Sequence, residues 1–92
     1  MQDEWLVYIV ECRTKELYVG ISKNIQERIE RHNKGLACRY TKFRRPVTLV
    51  YYERCEGYSH ARTREREIKK YSRIKKLKLR YSVKDPSPPI QG

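Results

Sequence analysis

Two tyrosines, an arginine, a histidine and one late glutamate are the residues of this chain whose types and order could work on a phosphodiester. Tyr8 lies in Val7-Tyr8-Ile9 and Tyr18 in Tyr18-Val19-Gly20, each inside an apolar, strand-like run. Arg28 follows ten residues after Tyr18, His32 comes one helical turn later, and Glu65 stands far downstream. Hydrolysing a phosphodiester needs an activated water, donors for the charge developing on the phosphoryl oxygens, and help for the leaving alkoxide. A metal ion supplies the last two and lowers the pKa of bound water. A phenol is a weak base in water, with a pKa of about 10, but a nearby cation or metal favours the tyrosinate. Arg28 offers a planar, bidentate fork to phosphate oxygens. Glu65 is a hard oxygen ligand of the kind magnesium prefers, with room left for waters and a substrate oxygen.

The elements that must position these groups are legible in outline. Trp5 to Cys12 is rich in β-branched and aromatic residues and reads as a first strand. A polar turn, Arg13 to Glu16, leads to a second strand, Leu17 to Ile21, so Tyr8 and Tyr18 fall on adjacent strands of a hairpin. Gly20 inside a strand signals close approach of another backbone or of a ligand. Asn24 is a good N-cap, with Glu27 three residues on in a capping-box arrangement. The helix it opens carries Ile25 and Ile29 as its apolar stripe and stops at Lys34-Gly35. Arg28 and His32, spaced i, i+4, lie one above the other beside that stripe. Leu36 to Pro46 reads as an irregular basic stretch, and Val47 to Glu53 as a third strand paired with the first. A second helix follows Gly57, with Ser59 as its expected N-cap. On it Ala61, Glu65 and Ile68 share a sector of about 60°, which makes Glu65 a carboxylate on an inward stripe, while Glu67 projects elsewhere. A third helix starts at Ser72 and carries Ile74, Leu77 and Leu79.

Taken singly, each candidate has a plainer role: half-buried strand tyrosines, a solvated helix arginine, a histidine at a helix C-terminus, a glutamate paired with Arg62 or Lys69. Taken together, in this order and spacing, they resemble the GIY-YIG nuclease family, whose two name motifs stand here as Val-Tyr-Ile and Tyr-Val-Gly. The resemblance covers residues 5 to about 80 and is closest to the short, stand-alone members, a subgroup supported by Ala61, Glu65 and Ile68-Lys69-Lys70. It implies an α/β (α+β) fold, a small three-stranded sheet, mixed or antiparallel, surrounded by helices. It also implies an endonuclease with Tyr8, Tyr18, Arg28, His32 and Glu65 at its centre, Gly20 at the substrate, and one divalent metal, Mg2+ or Mn2+, held by Glu65. Relatives of that subgroup include nuclease subunits of structure-specific DNA repair complexes. Two departures stand out: the leading glycine of the first motif is Val7, and no asparagine follows the glutamate.

Composition narrows the partner. The 92 residues carry 22 Lys+Arg against 11 Asp+Glu, a net charge of +11, and only 38% are apolar. One domain, residues 1–82, with a thin sheet is what such a chain can build. Its basic surface attracts polyanions, DNA above all. A membrane surface fits less well, because the basic segments lack a broad apolar face, and no window approaches the ~20 apolar residues of a span. The acidic Met1-Gln2-Asp3-Glu4 is unlike a signal peptide. Cys12, Cys38 and Cys55 form an odd set without paired spacing, which suits free thiols in a reducing cytoplasm and excludes a zinc site.

With no separate DNA-binding domain within these residues, the expected grip on DNA comes from two surfaces. One is the stretch with Arg39, Tyr40, Lys42, Arg44 and Arg45, where Tyr40 could stack on an unpaired base of single-stranded or branched DNA. The other comprises Lys69, Lys70, Arg73, Lys75, Lys76 and Lys78, in a segment from Arg62 to Arg80 with ten basic and two acidic residues. From Val83 onward, Asp85-Pro-Ser-Pro-Pro89 marks an expected disordered tail. Two rival functions share these features: a non-catalytic nucleic-acid-binding module, and a nuclease subunit active only with a protein partner.

Overall fold

The computed structural model describes residues 4–81. Strand β1 (Trp5–Cys12) is the centre of a three-stranded sheet of order β2-β1-β3, and both β2 (Leu17–Ser22) and β3 (Val47–Cys55) run antiparallel to it. Among the described residues the helices are α1 (Ile25–Asn33), α2 (Arg39–Lys42), α3 (Tyr58–Lys69) and α4 (Arg73–Lys78), followed by a 3-10 turn, Leu79–Tyr81. The expected architecture is present, with a wholly antiparallel sheet. The proline-containing tail from Val83 lies outside the described residues.

Side chains alternate across a strand, and on β1 both directions are apolar. Leu6, Tyr8, Val10 and Cys12 pack with Ile25 of α1, Val47 and Tyr52. Val7 and Ile9 pack on the other face with Val19, Tyr51, Cys55 and the α3 residues Ala61 and Ile68. The central strand is therefore covered on both sides, which is why it reads as a continuous apolar run. A bulge reconciles β3 with the two layers. Ile9 pairs with Tyr51 but Val10 with Leu49, so Val50 is the extra residue. Val50 and Tyr51 consequently face α3 together, while Leu49 and Tyr52 face α1.

Local signals set the helix ends. Asn24 Oδ1 accepts the Glu27 N–H at 3.0 Å, as expected of an N-cap. Its own N–H goes to Ser22 Oγ at 3.0 Å, so the cap is tied back to β2. At the other end, Asn33 Oδ1 accepts the Val47 N–H at 2.7 Å, joining α1 to the start of β3. Two expectations need correction. The stretch from Leu36 to Pro46 contains the one-turn helix α2. Helix α3 begins at Tyr58 with Gly57 as its uncapped N-cap, one residue before Ser59, because Tyr58 is held in the first turn by an edge contact with Trp5, ring centres 5.0 Å apart.

Candidate active site

The hairpin register brings the tyrosines together. Tyr8 stands opposite Gly20 and Val10 opposite Tyr18, making the tyrosines diagonal neighbours with ring centres 6.5 Å apart. A Cβ on Gly20 would fall 2.5 Å from the Tyr8 hydroxyl and 3.1 Å from the Tyr18 ring. The close approach read from the sequence is made by the Tyr8 phenol, a side chain and not a neighbouring backbone. Any larger residue at position 20 would displace it.

Behind Tyr8 lies a chain of buried polar groups. The Tyr8 hydroxyl is 2.8 Å from His32 Nε2, and His32 Nδ1 is 2.7 Å from Thr41 Oγ1. Tyr8, His32 and Thr41 are all fully buried. The Thr41 hydroxyl reaches the Cys38 carbonyl at 3.5 Å and lies 3.4 Å from its thiol. If Thr41 donates towards Cys38, its oxygen accepts from His32 Nδ1–H, leaving Nε2 to accept from the Tyr8 O–H. The circuit leads on to the other tyrosine, since Tyr18 and Cys38 each act on the other's ionisation. Burial alone would raise the Cys38 thiol pKa, but hydrogen bonds from Thr41 and Tyr18 hold it below its ordinary value. Neither Thr41 nor Cys38 was given a place at the site from sequence, where Cys38 figured only among three free thiols. Their only signal was position, within the loop after the Arg28–His32 helix.

Arg28 is the charge common to the three rings. Burial lowers His32 to a pKa of about 4, with Arg28 adding to the effect, so the imidazole is neutral rather than a helix-terminal cation. Burial and Tyr18 push the Tyr8 phenol well above its usual range, opposed by the charge and a hydrogen bond of Arg28. Tyr18 is half-buried and pushed up to about 12, first by desolvation, then by Cys38 and the Glu65 carboxylate, again with Arg28 opposing. Glu65 enters from the opposite layer. It is 9% exposed on the stripe with Ala61 and Ile68, yet close enough to Tyr18 to act on its ionisation. Lys69 Nζ lies 3.1 Å and Arg62 Nε 3.8 Å from its oxygens, so both plain ion-pair partners are also present. Glu67, on the far side of α3, pairs with Arg64 instead.

A lone carboxylate is a sparse metal site, and no group of three or more His, Cys, Asp or Glu that could hold a metal occurs among the described residues. That donor set fits magnesium or manganese and not zinc. Mg2+ binds through one or two carboxylates and keeps several waters, whereas zinc wants three or four protein ligands.

The cations expected at nucleic acid divide into two groups. Arg39, Lys70, Lys76 and Lys78 pair with no carboxylate among the described residues. Lys42 and Lys75 lie over the rings of Phe43 and Tyr71, at 5.5 and 4.1 Å. Others are committed to the fold. Arg45 Nε donates to the Lys42 carbonyl at 2.7 Å, and Arg73 donates to the Lys15 carbonyl and pairs with Glu11, docking α4 on the β1–β2 turn. Tyr40, expected to stack on an unpaired base, is 40% exposed; its ring lies on Tyr18, centres 5.9 Å apart, with the Arg44 guanidinium 4.1 Å from its ring centre. The most exposed aromatic of this segment is Phe43, at 70%, which the sequence did not single out.

The buried imidazole makes a prediction about stability. With a folded pKa of about 4 against about 6.5 unfolded, His32 is neutral in both states at pH 7. As pH falls below 6.5 the unfolded chain binds a proton that the folded chain refuses, so stability drops until pH reaches about 4. The loss due to His32 between pH 7 and 5 is about 2 kcal/mol. Urea titrations at the two pH values measure it, with His32→Gln as the reference. A variant whose stability falls as much as the wild type's would show that His32 does not titrate in this way.

The GIY-YIG catalytic domain family matches residues 4–78. UPF0213 proteins of Staphylococcus aureus strains Mu3 and N315 are each 52% identical over 77 residues, covering 84% of this chain and 94% of theirs. The solution NMR structure of the UPF0213 protein BH0048 from Bacillus halodurans is 34% identical, covers 88% of this chain and 85% of its own, and superposes with a TM-score of 0.53. No helix among the described residues is long and apolar enough to cross a membrane.

Proposed function

This chain belongs to the GIY-YIG family, a nuclease superfamily, and on that footing we propose that it is a metal-dependent endonuclease acting on single-stranded or branched DNA. The observation that carries the reading is the cluster of Tyr8, Tyr18 and His32, with the Tyr8 hydroxyl 2.8 Å from His32 Nε2 and the Tyr18 ring 6.5 Å from Tyr8 and 5.3 Å from His32, centre to centre. Arg28 presents its fork to the scissile phosphate and stabilises the charge that develops there. Tyr8 would hold that fork: its hydrogen goes back to His32, which turns its oxygen lone pairs to the Arg28 charge that acts on it. His32 and Thr41 fix Tyr8 in turn. Tyr18 is the half-exposed phenol. Once its own proton has passed to solvent, the phenolate takes a proton from the attacking water as the water oxygen bonds to phosphorus, and the leaving oxygen departs as an alkoxide that is protonated from solvent. The sequence left the choice of base open with a slight lean to Tyr8. Burial of Tyr8 and its engagement with His32 favour Tyr18.

Glu65 would hold the metal, with Mg2+ or Mn2+ supplying Lewis acidity that activates water and stabilises the leaving alkoxide. Burial and Cys38 raise Tyr18 most, but Glu65 adds to the shift, so a cation held at Glu65 would favour the ionised phenol. Arg62 and Lys69, now on that carboxylate, would then be available to phosphates. A non-catalytic binding module would have no need of this coupling.

The test is cleavage of single-stranded, duplex, flap and junction DNA, with magnesium and with a chelator. Magnesium-dependent cutting is expected, strongest on single strands and branches. A folded protein that cuts none of the four with Mg2+ or Mn2+ would sink the reading. Tyr18→Phe is expected to lose about 10²-fold in turnover as the base is removed, and Tyr8→Phe less. Full activity in both variants would make the tyrosines structural only.

A further inference from the structure

Beside the Glu65 carboxylate, the outer face of α3 opens a groove of about 460 Å³ lined by Tyr58, Ser59, Arg62, Thr63 and Arg66. Its position follows from the helix. Turning about 100° per residue, the side of Glu65 away from the core carries Lys69, then Arg62, Arg66, Ser59 and Thr63 in succession. Ala61 and Ile68, both buried, lie on the other side. The acidic Glu67 falls beyond the groove and is turned away to Arg64. The groove is joined to the carboxylate through Arg62, which is 3.8 Å from Glu65 and also lies 6.0 Å from the Tyr58 ring centre. Two guanidinium groups, two hydroxyls and an aromatic face are the chemistry of a sugar–phosphate strand: forks and hydroxyls for phosphate oxygens, a ring for a sugar or base.

We propose that this groove is the track for the nucleic-acid strand on one side of the scissile bond, with Arg66, Thr63 and Ser59 holding the phosphate next to the one at Glu65. The inference rests on the nuclease reading and extends it, because it assigns a direction to the bound strand: from the tyrosines past Glu65 and along the first two turns of α3. It also gives α3 two roles on adjoining sides, one carboxylate for the metal and a cationic face for the strand.

The experiment is binding of a fluorescein-labelled single-stranded oligodeoxynucleotide, without divalent metal, at several salt concentrations. The proteins are the wild type, Arg66→Glu, Thr63→Val and Lys34→Glu, the last making the same charge change at an exposed site outside the groove. Arg66→Glu is expected to weaken binding about tenfold and to flatten the log–log salt dependence by about 0.7, one phosphate contact on a single strand. Thr63→Val should weaken binding with the salt slope unchanged, since it removes a neutral hydroxyl. Lys34→Glu should cost about threefold or less, the general effect of net charge. Equal losses in Arg66→Glu and Lys34→Glu, or unchanged affinity in Arg66→Glu, overturn the groove while leaving the nuclease reading intact. A wild-type protein that binds no strand overturns both.

Discussion

Glu65→Gln loses metal-dependent cleavage entirely and keeps its fold. The amide has nearly the shape of the carboxylate, so the stripe with Ala61 and Ile68 remains packed. The partners it releases stay solvated, because the Lys69 and Arg62 side chains are 53% and 45% exposed, and such pairs contribute at most about 1 kcal/mol. What disappears is the hard anionic ligand that, on the proposed reading, would gather magnesium beside Tyr18. Manganese titration provides a readout separate from activity: the wild type binds and the variant does not. Glu67→Gln is the matched control. Its carboxylate pairs with Arg64, which keeps Glu53 at 2.6 Å when Glu67 is gone, so cleavage continues. Retained cutting in Glu65→Gln, or equal loss in Glu67→Gln, would remove Glu65 from the metal site.

Why Glu65 could be found from sequence, and Thr41 could not, is a matter of periodicity. A carboxylate at helical spacing from Ala61 and Ile68 conflicts with its own stripe, and such a conflict points to function. The strands were legible because β1 is buried on both faces and its composition shows it. The bulge in β3 was not, since Leu49-Val50-Tyr51-Tyr52 is apolar throughout and carries no mark of where register slips. Thr41 and Cys38 sit in a segment dominated by arginine and lysine, where a buried hydroxyl has no local signature. They become functional candidates only when α1 and α2 pack and His32 needs a partner for its second nitrogen. The same gap explains Arg45, Arg73 and Tyr40. Sequence gives the count of basic and aromatic residues, but only packing shows which of them are engaged with carbonyls, carboxylates or a neighbouring ring.

Arg28 separates charge from geometry, and its two substitutions do so experimentally. Arg28→Ala removes both. Loss of a preorganised donor at the developing oxyanion costs about 10²–10³ in turnover, and the phenols that Arg28 now favours as anions become harder to ionise. Arg28→Lys keeps a positive charge in the same region but cannot present two parallel N–H donors to phosphate, so turnover falls nearly as far. His32 reports the difference independently of catalysis. Its pKa of about 4 is set first by burial and then by Arg28, so NMR titration should show it moving up in Arg28→Ala, though still below about 6.5 because burial remains. In Arg28→Lys it should stay near the wild-type value. Oligonucleotide affinity should change far less than turnover in both, since many other cations of this +11 chain remain. A lysine variant that cuts like the wild type would show that Arg28 acts as a point charge. An unmoved His32 titration in Arg28→Ala would show that the guanidinium does not reach the buried Tyr8–His32 pair, and the role given to Tyr8 in holding it would fall with that result.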